Sequence, residues 1–186
     1  MSSFYSLSEL SNIGFRKFGT NVLISRYARL YNPQNIEIGS NVRIDDFCFI
    51  SAKSPVKFGN NVHLSCYTGI WAANSLDIGN NTSISTGSKI LTETDDFSGN
   101  YLTGPSVPLK YRKLKGQPMK IYPFVNIGAN STILPISEIQ EGAVVGACSL
   151  VTKPLAAWTI YTGIPAKAVK SRNKGMLDLY QLLINK

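Results

Sequence analysis

The chain holds one histidine, His63. An imidazole is the side chain best suited to take and return a proton near neutral pH. His63 stands between Val62 and Leu64. If those two point into a core, alternation turns His63 outward, where a substrate can meet it. Two adjacent carboxylates, Asp95 and Asp96, lie in a stretch rich in glycine and proline. They suit two jobs, orienting an imidazole base or binding the amine of a substrate. Plainer readings stand beside these: paired aspartates are ordinary turn residues, and His63 is readable as a surface histidine at a chain corner. Tyr67, Trp71, Phe97 and Tyr101 offer ring faces for a sugar or a base, and as corner fillers they need no ligand. One histidine does not supply a three-histidine zinc site within a chain, and no metal is expected. Neither a glycine-rich phosphate loop nor a Ser-His-Asp triad is visible.

Cations are plentiful, with a net charge of +8. They gather in two clusters, Lys110, Arg112, Lys113, Lys115 and Lys120, then Lys167, Lys170, Arg172 and Lys174. Two separate clusters with little aromatic interleaving and no recognition motif fit a phosphorylated small molecule better than nucleic acid. The 44% hydrophobic and 16% charged content of 186 residues fits one globular domain. Cys48, Cys66 and Cys148 are odd in number and far apart, which reads as reduced thiols. No signal peptide and no run long enough to span a membrane is apparent. The expected location is the cytoplasm.

Something must position these groups, and an internal repeat supplies it. Phe18-Gly19-Thr20-Asn21-Val22, Ile38-Gly39-Ser40-Asn41-Val42, Phe58-Gly59-Asn60-Asn61-Val62 and Ile78-Gly79-Asn80-Asn81-Thr82 start 20 residues apart. Within each period, apolar residues recur after six, six and eight positions, as in Ile38, Ile44, Ile50 and Phe58. After a break the spacing becomes a strict six: Ile121, Ile127, Ile133, Ile139, Val145, Val151. Four positions after many of these stands a smaller residue, among them Val42, Cys48, Ser54, Thr68, Ser88, Thr94, Ser131, Ser137 and Ser149. A period of 3.6 does not produce such spacing. Three short sides around a triangular prism do, with Asn and Gly at corners that need positive φ and coils stacked as parallel strands. The stack places Arg43 below His63 and Ser83 above it. A cation at Arg43 would favour the neutral, proton-accepting ring.

The ends and the break complete the layout. Residues 1–17 are expected to cap the first coil with a short helix, because an open coil end is an unpaired sheet edge. Residues 18–169 form the solenoid. Residues 170–186 carry Met176, Leu177, Leu179, Tyr180, Leu182 and Leu183 at helical spacing, giving an amphipathic C-terminal helix that caps the solenoid or packs on a neighbour. The segment 95–120 interrupts the repeat with Gly99, Gly104, Pro105, Pro108, Gly116 and Pro118. It is an extended loop, and long loops in regular scaffolds are usually functional.

The repeat, the segment Gly142-Ala143-Val144-Val145-Gly146-Ala147-Cys148-Ser149-Leu150-Val151-Thr152-Lys153 and the closing Tyr161-Thr162-Gly163-Ile164-Pro165-Ala166-Lys167 together resemble the hexapeptide-repeat acyltransferases. The likeness is greatest to their galactoside and xenobiotic acetyltransferase branch and to surface-polysaccharide sugar acetyltransferases. The resemblance implies an all-β, left-handed parallel β-helix and a homotrimer with shared active sites. The loop would wall a neighbouring subunit's site, and acetyl-CoA would lie in the groove between subunits. Asn126, Gly128, Ala129, Ala147, Thr152, Lys153 and Lys167 match positions lining that groove, with Arg172 a further phosphate candidate. The Gly and Ala positions also suit tight coil packing.

The family's usual histidine after the coil ending Ile90-Leu91-Thr92 is missing; that place reads Thr94-Asp95-Asp96-Phe97-Ser98-Gly99. His63 instead aligns with an acceptor-contacting position near Ser65. The expected base is therefore His63, oriented by Asp95 or Asp96 from a neighbouring subunit. Arg43, Ser65, Tyr67, Ser83 and Phe97 are the acceptor contacts. In the alternative, those aspartates bind an amine and no side-chain base is needed. The expected activity is acetyl transfer from acetyl-CoA to a sugar, foremost a nucleotide-linked amino sugar for surface polysaccharide such as lipopolysaccharide. Acetylation of a sugar hydroxyl and a non-catalytic scaffold are the rivals.

Overall fold

Apolar residues six apart meet only if the chain turns a corner after each short strand. The computed structural model, which describes residues 3–185, shows that winding. Residues 1 and 2 of the expected N-terminal cap and residue 186 of the C-terminal helix lie outside the described residues. Three parallel sheets form the sides of a prism. The first face stacks strands Lys17–Phe18, Ile36–Ile38, Val56–Phe58, Leu76–Ile78, Met119–Ile121 and Glu138–Ile139. The second stacks Leu23–Ile24, Arg43–Ile44, His63–Leu64, Ser83–Ile84, Asn126–Ile127, Val144–Val145 and Thr159–Thr162. The third stacks Arg29–Tyr31, Phe49–Ala52, Gly69–Ala72, Lys89–Leu91, Thr132–Ile133 and Leu150–Val151. Register is one coil per step, with Arg43 beside His63 and His63 beside Ser83. This is the parallel β-helix that the repeat predicts.

Ile24, Ile44, Leu64, Ile84 and Ile127 fill the second wall of the core and are fully buried. Small residues four positions after a bulky one close two corners, where Val42, Cys48, Thr68, Ser88 and Ser131 are buried. The hydroxyls there are satisfied by carbonyls: Ser88 Oγ donates to Gly128 O at 2.9 Å and Ser131 Oγ to Gly146 O at 2.9 Å. The rule fails at the third corner. Its two extra residues place Ala52, Ala72 and Thr92 inward, leaving Ser54 and Thr94 half-exposed. Ser137 is exposed too, with Ile136 buried instead. The extra length also buries a row that the six-residue series misses: Ile36, Val56, Leu76 and Met119.

The other two corners need left-handed backbone. At the first, the residues are Asn21, Asn41, Asn61, Asn81, Phe124, Gly142 and Trp158, all at positive φ. Asparagine tolerates this geometry, and its amides bond up the stack, Asn21 Nδ2 to Asn41 Oδ1 at 2.9 Å and Asn61 Nδ2 to Asn81 Oδ1 at 3.0 Å. Phe124 ends the ladder, so Asn81 Nδ2 is buried without a partner. The second corner carries Phe47, Tyr67, Gly87, Asn130 and Cys148 in the same conformation. On the flat first face, Lys17, Glu37, Lys57, Asp77, Lys120 and Glu138 alternate in sign from coil to coil. Opposite charges directly across neighbouring strands favour this register over one that skips a coil.

Helix α1 (Leu7–Ile13) caps the first coil. Ser6 and Glu9 form a capping box, Gly14 ends the helix at φ +89, and Leu10 is buried. At the other end, strand Lys167–Ser171 folds back antiparallel on Thr159–Thr162, so β structure runs to residue 171 before helix α2 (Met176–Ile184) begins. Helix α2 does not bury its apolar side. Tyr180 packs edge-on to Phe124 at 5.1 Å, while Leu179, Leu182 and Leu183 remain exposed. The break in the repeat is an arm. Glu93–Asp95 pairs antiparallel with Leu114–Gly116, a short 3-10 turn spans Leu109–Tyr111, and Met119 rejoins the first face beside Leu76.

Candidate active site

His63 lies on the outer side of the second face, as alternation requires, with about two fifths of its side chain exposed. Its Nε2 is 2.7 Å from Asp45 Oδ2. Asp45 reaches it because Arg43, His63 and Ser83 are stacked, and Asp45 stands two residues past Arg43, at the edge of the coil below. Arg43 Nε donates to the other oxygen, Asp45 Oδ1, at 2.6 Å. Burial would raise the Asp45 pKa, but bonds from His63 and Arg43 outweigh it and hold the carboxyl below its ordinary value. The Asp45 carboxylate can only accept, so Nε2 donates to it, and in the neutral ring Nδ1 carries the lone pair. That is the arrangement of a base oriented by a carboxylate. Arg43 therefore turns its charge on Asp45, whereas stacking alone aims it at the ring. Asp45 is not among the residues that the sequence singles out. A signal for it exists: a carboxylate two positions after Arg43, one coil below His63.

Within the chain, Asp95 and Asp96 are elsewhere. The arm leaves the prism after Lys89–Leu91, one whole face beyond the His63 stack. Asp95 Oδ1 accepts from Arg112 Nε at 2.9 Å and Nη2 at 2.8 Å, and Oδ2 accepts the Gly104 N–H at 3.0 Å. Asp96 Oδ1 accepts the Ser98 N–H at 2.7 Å, and Oδ2 pairs with Lys115 at 3.1 Å. These contacts clamp both sides of the arm. The Gly104 N–H and Arg112 depress the Asp95 pKa. Bonds from Ser98, then Lys115, bring Asp96 down to about 2.

The consequence for pH has a definite sign. Both folded pKa values lie below the unfolded carboxylate range, near ~3.9. The clamp is at full strength above that range and is lost as pH falls toward 2. Hydrogen exchange read by mass is expected to show peptides from 93–116 protected at pH 5. Their protection should vanish between about pH 4 and pH 2 while core coils such as 38–64 hold. Protection of the arm unchanged down to pH 2 would show that other contacts carry it.

The upper coils bring together several of the groove candidates. Thr152, Lys153 and Lys167 line one cavity of about 260 Å³ with Pro154, Leu155, Tyr161, Pro165 and Ala166. The peptide bond before Pro165 is cis. Beside it, Thr152 also borders a cleft with Leu134, Pro135 and the base of the arm at Leu114–Gln117. Lys153 and Lys167 are exposed and have no ion-pair partner among the described residues. Gly128 and Ala147 meet at the second corner, where a Cβ on Gly128 would stand 2.5 Å from the Ala147 nitrogen. Gly128 is thus required by coil packing. Ala129 and Ala147 keep the same edge thin.

Arg172 is placed differently from the expectation. Its Nη1 donates to Phe124 O at 2.7 Å and Gly142 O at 3.0 Å, and Nη2 donates to Asn126 Oδ1 at 2.6 Å. Burial lowers its pKa. The guanidinium and the Asn126 amide are engaged with each other and with the first corner, away from the lysine cavity. Ser65, Tyr67 and Ser83 lie on the second face or second corner near His63. Phe97 lies exposed on the arm, just after the paired Asp96.

No family model matches the chain. It is 37% identical over 172 residues, 92% of its own length and 90% of the relative, to the dTDP-4-amino-4,6-dideoxy-D-glucose acyltransferase of Escherichia coli. It is 40% identical to AntD, an N-acyltransferase from Bacillus cereus. A cysteine-for-serine variant of AntD, solved with dTDP-4-amino-4,6-dideoxyglucose and coenzyme A, superposes with a TM-score of 0.95 over 100% of this chain and 98% of that one. The same protein has been solved with dTDP and 3-hydroxybutyryl-CoA. A galactoside acetyltransferase in complex with coenzyme A shares the fold, with a TM-score of 0.59, 19% identity and coverage of 89% of this chain and 70% of that one. The six-residue repeat, the prism it builds and a relative matched over nearly its whole length place the chain in the hexapeptide-repeat acyltransferase family.

Proposed function

We propose that the protein transfers an acyl group from acyl-CoA, foremost acetyl-CoA, to the amino group of a nucleotide-linked 4-amino-4,6-dideoxyhexose. The observation that carries this reading is the likeness, over the full chain, to an N-acyltransferase solved with such a sugar nucleotide and coenzyme A. The amine lone pair attacks the thioester carbonyl carbon. A C–N bond forms, the C–S bond breaks, and the amine proton passes through His63 Nδ1 to the departing sulfur. Asp45 holds the Nε2 proton throughout. Thr152, Lys153 and Lys167 bind the CoA end, the lysines pairing with its phosphates. Arg43, Ser65, Tyr67 and Ser83 face the acceptor.

Asp95 reaches the acceptor from a neighbouring subunit of a homotrimer, while Asp96, buried and held by Ser98 and Lys115, fixes the arm that carries it. In support, Phe97, Leu102, Leu109 and Tyr111 on the arm and Leu179, Leu182 and Leu183 on α2 lie exposed on the single chain, as surfaces awaiting a partner do. Among the described residues no helix is long and apolar enough to cross a membrane. We place the enzyme in the cytoplasm, where it prepares a sugar for surface polysaccharide such as lipopolysaccharide. Acetylation of a sugar hydroxyl is the second reading, and the His63–Asp45 pair favours it, because a hydroxyl needs a base more than an amine does.

The test is to incubate the protein with acetyl-CoA or 3-hydroxybutyryl-CoA and dTDP-4-amino-4,6-dideoxyglucose, simple galactosides or free hexoses. Thiol release is followed together with product mass. The expected outcome is one acyl group gained by the amino-sugar nucleotide. Gain on hydroxyl sugars alone would replace this reading with the second, and no transfer to any acceptor would leave a scaffold.

A further inference from the structure

The second corner of the prism changes character halfway along its length. In the lower coils it carries aromatic rings: Tyr27 lies 5.8 Å from Phe47, and Phe47 stacks on Tyr67 at 5.1 Å with the planes 21° apart. All three are more than half exposed. In the upper coils the same edge carries Gly87, Asn130 and Cys148. Phe47 and Tyr67 take left-handed φ values of 60° and 63°, which bulky residues seldom adopt. Elsewhere this geometry falls mostly to Asn or Gly, and the two other aromatics that adopt it, Phe124 and Trp158, pack against each other rather than standing open. Strained aromatic corners kept in the open are a pointer to a ligand rather than to packing.

The ladder stops at a gap in its own pattern. One face of Tyr67 rests on Phe47. The opposite face looks toward the next rung, and that rung is Gly87, which has no side chain. Gly87 is held open from above. An added Cβ there would lie 2.1 Å from Asn130 Oδ1, so the Asn130 side chain roofs the glycine. Among the described residues the Asn130 amide has no hydrogen-bond partner. Lys89 Nζ donates to Gly87 O at 3.1 Å and puts a cation at the margin. A flat group resting on Tyr67 thus finds an aromatic floor, a glycine wall, an amide at its edge and an ammonium beside it.

We propose that this slot holds the hexose ring of the acceptor, with Tyr67 as its platform and Asn130 bonding a ring hydroxyl. The assignment deepens the functional reading above and rests on it. The slot lies where the small-residue edge, suited to the pantetheine arm, meets the aromatic edge. The group at that junction must be the one that reacts with the thioester. That is the sugar, because a diphosphate separates the nucleobase from the reacting amine. His63 stands four residues before Tyr67 on the same coil, on the face that leads into this corner. A 4,6-dideoxy sugar presents an apolar C–H face to stack on a phenol ring.

Binding and kinetics of Tyr67→Ala and Tyr67→Phe test it, each variant first checked for an unaltered melting temperature. Tyr67→Ala is expected to raise the KM and Kd for dTDP-4-amino-4,6-dideoxyglucose by about tenfold. It should leave the Kd for dTDP alone and the KM for acetyl-CoA unchanged, and Tyr67→Phe should restore sugar affinity. Equal loss of dTDP and of the sugar nucleotide would mean that the base stacks there, and the assignment fails. A rise confined to the KM for acetyl-CoA would give the slot to the thioester, and the assignment fails equally. Unchanged affinities in a variant of an active enzyme sink the platform alone. A wild-type protein that neither binds nor acylates the sugar nucleotide removes the functional reading, and the platform falls with it.

Discussion

His63→Ala is expected to lower kcat by about 10²–10⁴-fold, the span that a positioned proton acceptor contributes, with KM values for both substrates little changed. The imidazole is the only one in the chain, and its Nε2 is tied to Asp45 at 2.7 Å, so no neighbouring ring substitutes for it. Asp45→Asn is expected to cost less, roughly 10–100-fold, because an amide still fills the space but no longer enforces the tautomer that leaves Nδ1 free. The Asp45 carboxyl is held below its usual range by His63 and Arg43 against the opposing effect of burial, so it stays ionised wherever the assay is run. Near-normal turnover in His63→Ala would mean that the amine arrives already deprotonated. The base assignment would then be wrong although the enzyme is not.

The prism is legible in the sequence because a solenoid writes its geometry directly into spacing. Ile38, Ile44, Ile50 and Phe58 give the side lengths, and the Asn-rich corners give the turns. The third corner is less legible. An eight-residue interval has two spare positions, and spacing alone does not say that Ala52 and Val56 rather than Ser54 go inward. The site is legible only as far as stacking reaches. The repeat puts Arg43 under His63, and the structure agrees. Which partner each side chain chooses depends on reach and competition. Arg43 bonds Asp45, two residues away, rather than the ring above it. Asp95 and Asp96 sit outside the repeat, so no period fixes them. Their chain-internal partners, Arg112 and Lys115, follow from the antiparallel pairing of the arm, a nonlocal feature. Sequence groups Arg172 with its basic neighbours, yet a turn of the closing strand aims it at carbonyls instead.

That placement separates Arg172 sharply from the two exposed lysines. Its guanidinium joins Phe124 O, Gly142 O and Asn126 Oδ1, three groups from two successive coils, while its own N–H reaches Trp158 O at 2.7 Å. Arg172→Met keeps much of the side-chain volume and removes only the donors. Hydrogen bonds from a charged donor contribute about 1.5–3 kcal/mol each and are not additive, and acceptors left unpaired add to the loss. The net cost should be about 2–4 kcal/mol, which for a chain of this size lowers Tm by roughly 5–15 °C. The KM for acetyl-CoA in the surviving folded enzyme should stay within about twofold. Lys153→Ala and Lys167→Ala should behave in the opposite way. An exposed lysine without an ion-pair partner adds little to stability, so Tm holds, while loss of a phosphate contact raises the KM for acetyl-CoA by about three- to tenfold. Thermal melts and KM measured on the same three proteins decide the matter. If Arg172→Met melts like wild type and loses acetyl-CoA affinity, the guanidinium leaves its carbonyls to bind phosphate, and the clasp between coils is not what holds the last turn in place.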